Sequence, residues 1–232
     1  MRQIIALGGG GFSMEPENPL LDEYILNQAG KPNPKICYVP TASGDSDIMI
    51  QSFYDFFNNY ECTPSHLSLF KPPVESLEKF VLDKDIIYVG GGNTRNLLIL
   101  WKEWGLHTLM KEAWERGIVL AGISAGSICW FEQGVTDSYG DELQPLDCLG
   151  FLKGSNCPHY DGELNRRPAY QKFIASDQIK PGIAADDGAA IHFKDEEIYK
   201  VVCSRPHAKA YQVYYEQGIK EIELQTEYLE SL

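Results

Sequence analysis

Short apolar runs alternate with longer amphipathic stretches along the first half of the chain. The runs Gln3–Leu7, Lys35–Val39, His66–Phe70, Asp85–Val89 and Ile118–Ala121 are rich in Ile, Val, Leu and Tyr. Most lack polar alternation, as expected of strands covered on both faces. Between them, Leu20, Leu21, Tyr24, Ile25 and Gln28 share one helical face, and Ile48, Met49, Phe53, Phe56, Phe57 and Tyr60 mark another. Leu97 to Met110 predicts a third helix, with Asp45 or Ser46 and Asn93 or Thr94 as N-caps for the second and third. Strand, helix and strand repeated in this way predict an α/β fold, doubly wound, with a mostly parallel sheet.

The texture changes after Gly134. The polar stretch Thr136–Glu142 precedes a strand over Phe151–Ser155, a helix over Leu164–Ala175, and short strands near Ala189–Phe193, Glu197–Cys203, Ala210–Tyr215 and Lys220–Leu224. These predict a β-rich C-terminal extension, either continuing the sheet or forming an antiparallel flap beside it. No linker-like segment or repeat interrupts the sequence, which predicts one domain over residues 1–232.

Glycines follow three of the strand candidates, at Gly8–Gly11, Gly90–Gly92 and Gly122/Gly126. In an open parallel sheet, ligands bind outside the carboxyl ends of the strands, so all three turns should face one crevice. Gly8–Gly11 lacks the dinucleotide spacing, because two prolines delay the following helix, and no turn continues as a Walker loop. It reads as a tight turn. Gly122-Ile-Ser124-Ala-Gly126 follows a strand and opens a helical run, Ser127–Glu132. That is the context of a nucleophile elbow, in which a sharp turn lifts the serine above the sheet and leaves the Ala125 amide free to hold an oxyanion. Amides of Gly91 or Gly92 could supply a second donor. Cys129, one turn further on, is the rival nucleophile.

Charge narrows the partners. The 232 residues carry 20 Lys+Arg against 33 Asp+Glu, a formal net charge of −13, which argues against nucleic acid or an anionic membrane as the main partner. The six cysteines form no CxxC pair, so reduced thiols in a cytoplasm are the simplest reading. No apolar stretch reaches membrane-spanning length, and the N-terminal run is too short for a signal peptide.

A serine nucleophile needs a base. His107 reads as helix packing, His66 begins a strand pattern, and His192 alternates onto the opposite sheet face. His207 stays open. His159 follows the strand Phe151–Ser155, at the same sheet edge as Ser124. Cys157 and His159 are two possible metal ligands without a further cluster, so no metal or other cofactor is expected.

Gly-Gly-Gly-Asn-Thr at 90–94, Gly-Ile-Ser-Ala-Gly-Ser at 122–127 and Pro-His-Tyr at 158–160 together resemble the peptidase E (dipeptidase E, peptidase S51) family, relatives of the cyanophycinases. The resemblance implies a fold similar to class I glutamine amidotransferases and a cytoplasmic serine peptidase acting on dipeptides with an N-terminal Asp. It implies Ser124 as nucleophile, His159 as base, and Gly91 or Gly92 with Ala125 as oxyanion donors. Arg166 and Arg167 lie in the stretch similar to the one that carries an aspartate-binding Arg in the family. Two residues compete as the acid that orients His159. Asp137 has a spacing similar to dipeptidase E members and is favoured, whereas Asp187 falls where cyanophycinase-like members carry Glu. The remaining alternatives are another acyl hydrolase, such as an esterase, or a non-catalytic member of the fold. A homo-oligomer is possible.

Overall fold

The computed structural model describes residues 1–71, 76–140 and 142–230; Asp141, within the polar stretch noted above, lies outside them. In chain order the first half runs β1 (Gln3–Leu7), α1 (Leu20–Asn27), β2 (Lys35–Val39), α2 (Asp47–Phe57), β3 (Thr63–His66), α3 (Leu77–Leu82), β4 (Ile86–Val89), α4 (Thr94–Glu103), α5 (Leu106–Glu115), β5 (Val119–Ile123) and α6 (Ala125–Ile128). The second half runs β6 (Phe131–Thr136), β7 (Gln144–Asp147), β8 (Leu152–Cys157), α7 (Arg166–Ala175), β9 (Gly182–Ala185), β10 (Ala189–Lys194), β11 (Glu197–Cys203), β12 (Ala210–Tyr215), β13 (Ile219–Glu223) and β14 (Thr226–Tyr228).

Two sheets result. The larger has the order β14-β11-β10-β1-β5-β4-β2-β3, and the smaller β13-β12-β9-β8-β6-β7. β1, β5, β4, β2 and β3 are parallel, as their apolar runs require, and β10 joins β1 antiparallel. The β-rich part divides: β10, β11 and β14 extend the central sheet, and the other six strands form a second sheet that is mixed rather than the antiparallel flap expected, because β8 runs parallel to both β6 and β9. The central strands β1, β4 and β5 are buried along their whole length, between apolar clusters on both faces. Burial of this kind contributes ~25 cal/mol per Å² of apolar surface and drives the assembly.

Several elements depart from the pattern for local reasons. The helix expected from Leu97 to Met110 breaks at Gly105, whose left-handed φ of 68° separates α4 from α5. The third strand ends at His66, because Asp45 captures the Ser68 hydroxyl and the Phe70 amide. Its Pro64 is tolerated because β3 is an edge strand. The run after the elbow is helical for only four residues and turns into β6. The caps of α2 and α4 are Ser46 and Asn93, whose side chains accept from the Met49 and Asn96 amides. No helix among the described residues is long and apolar enough to cross a membrane.

Candidate active site

The elbow takes the shape its glycines allow. Ser124 has φ 54° and ψ −113°, a backbone conformation that a residue with a Cβ adopts only when its surroundings hold it there. The surroundings are backbone on backbone. A methyl group on Gly122 would fall onto the Gly126 carbonyl, and one on Gly126 would fall onto the carbonyl of Val89 at the end of β4. Ser124 then caps α6, with its carbonyl accepting from the Ser127 and Ile128 amides at 2.9 Å each. Ala125 begins that helix, so its amide has no intrahelical acceptor.

Gly91 stands beside the serine. A methyl group built on it would lie 3.3 Å from Ser124 Cβ and 3.9 Å from Oγ. Among the described residues, neither the Gly91 nor the Ala125 amide donates to another group. Gly92, at φ 132°, packs against the Ala42 carbonyl, which also accepts from the Asn93 amide at 2.8 Å. It shapes the turn.

His159 arrives from the other sheet. One residue past the last β1–β5 pair, Leu7 with Ile123, lie Gly8 and Ser124. The His159 amide donates to the Gly8 carbonyl at 3.1 Å, which sets the histidine backbone at the same sheet edge as the serine. His159 also has a positive φ, 53°. Its Nδ1 is 2.7 Å from Oδ1 of Asp187, both side chains being about one-eighth exposed. Gly9 and Gly162 line this contact. A methyl group on Gly9 would sit on Asp187 Oδ1 and 3.1 Å from His159 Nδ1, and one on Gly162 would lie 3.0 Å from Asp187 Cγ. The two chain segments close on the carboxylate at positions where no side chain fits.

The preference for Asp137 as the partner of His159 is therefore corrected. Asp137 follows the end of β6, is 60% exposed, and its nearest cation is Arg166 at 4.0 Å. Its loop is tied to α4 instead: the Asn93 side chain donates to the Ser138 carbonyl, and the Ser138 hydroxyl accepts from the Arg95 amide. Asp187, set between β9 and β10, reaches the imidazole because its own backbone pairs with Gly9 just past the end of β1, where the Gly9 carbonyl accepts from the Gly188 amide at 3.0 Å.

Neither arginine is a free fork. Arg166 is 3% exposed; it donates to the Val135 carbonyl and to both oxygens of Glu163. Arg167 pairs with Glu221 and lies over the Tyr160 and Tyr211 rings. The other histidines are occupied or remote in role. His192 bonds the Tyr24 hydroxyl and Gln3, His66 the Tyr54 hydroxyl, and His107 the Trp101 carbonyl, while His207 is exposed. Burial pushes the Cys129 thiol well above its ordinary range, so it supplies no thiolate. Cys157 is buried as well, its thiol pushed up to about 12.

The sequence motifs assign no place in the site to Gly9, Asp161 or Gly162. Gly9 reads only as part of the first tight turn, and the other two only as near neighbours of His159. The arrangement can deliver a serine hydroxyl, an imidazole with a carboxylate behind it, and two unspent amides at one sheet edge, which is the equipment of acyl transfer.

Comparison with known proteins identifies peptidase relatives. The family model for peptidase family S51 matches residues 4–201. The chain is 60% identical over 230 residues to the uncharacterized peptidase YgaJ of Bacillus subtilis (strain 168), covering 99% of this chain and 100% of that one. It is 24% identical over 192 residues to the uncharacterized peptidase Lin0382 of Listeria innocua, covering 78% and 88%. Among solved structures, a peptidase from an acI-B1 Actinobacterium superposes with a TM-score of 0.72 at 18% identity, covering 97% of this chain and 95% of that one. A peptidase E candidate from Listeria monocytogenes EGD-e superposes with a TM-score of 0.64, also at 18% identity, covering 85% and 96%. The mixed α/β architecture is thus shared with solved peptidase structures, and the chain belongs to peptidase family S51.

Proposed function

We propose that this peptidase is of the serine type, with Ser124 as nucleophile, His159 as general base and Asp187 as the acid that orients it. The observation that carries the reading is the 2.7 Å contact between His159 Nδ1 and Asp187, beside an elbow serine held at positive φ. With Nδ1–H donated to Asp187, the Nε2 lone pair is left to take the Ser124 proton. Oγ then attacks the peptide carbonyl, and the developing oxyanion is held by the Gly91 and Ala125 amides. His159 returns the proton to the leaving amine, and water repeats the sequence on the acyl-enzyme. No step calls on a metal or an organic cofactor.

The substrate class we propose is small peptides, with Asp-X dipeptides the first to examine. Arg166 supports this choice. It is a buried guanidinium whose covers, Glu163 and Asp137, are exposed side chains, 47% and 60%, that a substrate carboxylate could displace. A planar fork favours bidentate recognition of such a group. The cytoplasm, suggested by six unpaired thiols, is the proposed location.

A fluorophosphonate probe and a dipeptide and ester panel test the proposal together. The probe should label Ser124, and Ser124→Ala should lower peptide turnover by several orders of magnitude while leaving the fold intact. Retention of more than about a tenth of wild-type turnover in that variant would rule out the mechanism. Esters cleaved without peptides would point to another acyl hydrolase. If Asp-X is cleaved no faster than Ala-X, or Arg166→Gln leaves its KM unchanged, the aspartate preference fails.

A further inference from the structure

His159 and Asp187 lie on different segments, each in a connection between regular elements. His159 has φ 53°, and Asp187 occupies the short connection between β9 and β10. Four hydrogen bonds hold the turn that carries His159, two of them to the Asp187 segment. The His159 amide donates to Gly8 and the Tyr160 amide to Ala185, each at 3.1 Å; the Glu163 amide closes back on the His159 carbonyl, also at 3.1 Å. The fourth contact alone uses a side chain: Asp161 Oδ1 accepts from the Asp187 amide at 2.8 Å. It is also the one that joins the histidine's own turn to the residue whose carboxylate the histidine uses.

We infer that Asp161 is a positioning residue, which clamps the turn carrying His159 to the backbone of Asp187 and so fixes the distance between imidazole and carboxylate. The inference rests on the serine-peptidase reading for its functional consequence, but not for the clamp itself. Gly162 explains why the clamp must be tight. It presses on the far side of the Asp187 carboxylate, so any opening of the turn widens the slot in which that carboxylate is held. Asp186, the neighbouring acid, does not share the task. Its Oδ2 accepts from the Lys209 amide at 3.0 Å. Asp161 is exposed, so replacing it leaves no cavity, and its effect should appear in the chemistry rather than in the fold.

Two variants separate the hydrogen bond from the charge. Asp161→Ala removes both, whereas Asp161→Asn keeps an oxygen able to accept the Asp187 N–H. Asp161→Ala should lower kcat on the best dipeptide about tenfold with KM within about twofold, because a looser base costs the transition state and not substrate binding. Asp161→Asn should recover to within about threefold of wild type. Fluorophosphonate labelling of Ser124 should slow in the same order. Amide exchange at Asp187, followed by NMR in the resting protein, should quicken about tenfold or more in Asp161→Ala and stay near wild type in Asp161→Asn. Unchanged exchange in Asp161→Ala, or kcat as low in Asp161→Asn as in Asp161→Ala, would overturn the inference. A wild-type protein that takes no label and cleaves no peptide would instead overturn the serine-peptidase reading, with the exchange result still deciding the clamp.

Discussion

A carboxylate serves an imidazole when its oxygen meets Nδ1, and the backbone that carries it decides whether it does. Asp187 is one methylene shorter than the Glu that cyanophycinase-like members carry at the similar position. It reaches because Gly9 and Gly162 let two chain segments close directly on its carboxylate. Substituting Asp187→Asn should therefore cut kcat by about 10⁴-fold with little change in KM, by favouring the wrong imidazole tautomer. Asp137→Asn should cost less than tenfold, since Asp137 faces solvent and Arg166. Steady-state kinetics of the two variants checks this, and the reverse pattern would return the role to Asp137. That Ser124 and His159 face one sheet edge was legible in the sequence, because each lies just past the end of a strand. Which carboxylate meets the imidazole was not legible, because linear spacing says nothing of how the turn between β9 and β10 is brought to it.

At the scale of elements, the elbow depends on close packing between β5, α6 and β4. Gly126 lets the first turn of α6 touch the Val89 carbonyl, and an added methyl would lie 2.7 Å from the Val89 carbonyl carbon and 2.9 Å from its Cβ. The obstacle is the backbone of a buried central strand, which cannot swing aside as a side chain would. Gly126→Ala should therefore destabilise the protein by about 2–4 kcal/mol, the range of overpacking joined to backbone displacement. Urea denaturation measures it, and a loss below about 0.5 kcal/mol would mean that α6 can lift off β4. The central strands and the first two helices were readable from apolar periodicity, since burial on both faces leaves a clear pattern. β6, β7 and β9 were not. Phe131-Glu-Gln-Gly-Val-Thr136 and Gly182-Ile-Ala-Ala185 carry too few β-branched residues to announce a strand, and only pairing within the second sheet makes them one. The break at Gly105 was visible as a residue, yet a lone glycine inside a helical pattern does not by itself end a helix.

For the whole molecule, the buried acid Asp22 ties stability to pH. It is fully buried near the start of α1, within an apolar cluster that includes Phe12, Tyr38 and Tyr88. Its nearest polar neighbours are the Phe12 amide, its own amide and the Tyr88 hydroxyl, and neither carboxyl oxygen completes a hydrogen bond of good geometry. Burial, the dominant cause, raises its pKa from 3.8 to about 8. The sign follows from which state keeps the proton. Between pH 4 and 8 the folded protein holds Asp22 protonated while the unfolded chain has released that proton, so the native state binds more protons. This group therefore lowers stability as pH rises through that interval, by at most about 1.4 kcal/mol per pH unit, and adds no further slope above the upper value. Asp22→Asn removes the ionisation while keeping size and polarity. Its melting temperature should be close to wild type near pH 4, and its advantage should grow steadily to about pH 8 and then level off. Thermal unfolding of both proteins at pH 5, 6.5, 8 and 9 reads the difference directly, because the other titrating groups are common to both and cancel. A gap that stays constant from pH 5 to 8 would mean that Asp22 is ionised in the folded protein, held by the Phe12 amide and the Tyr88 hydroxyl more strongly than its burial opposes.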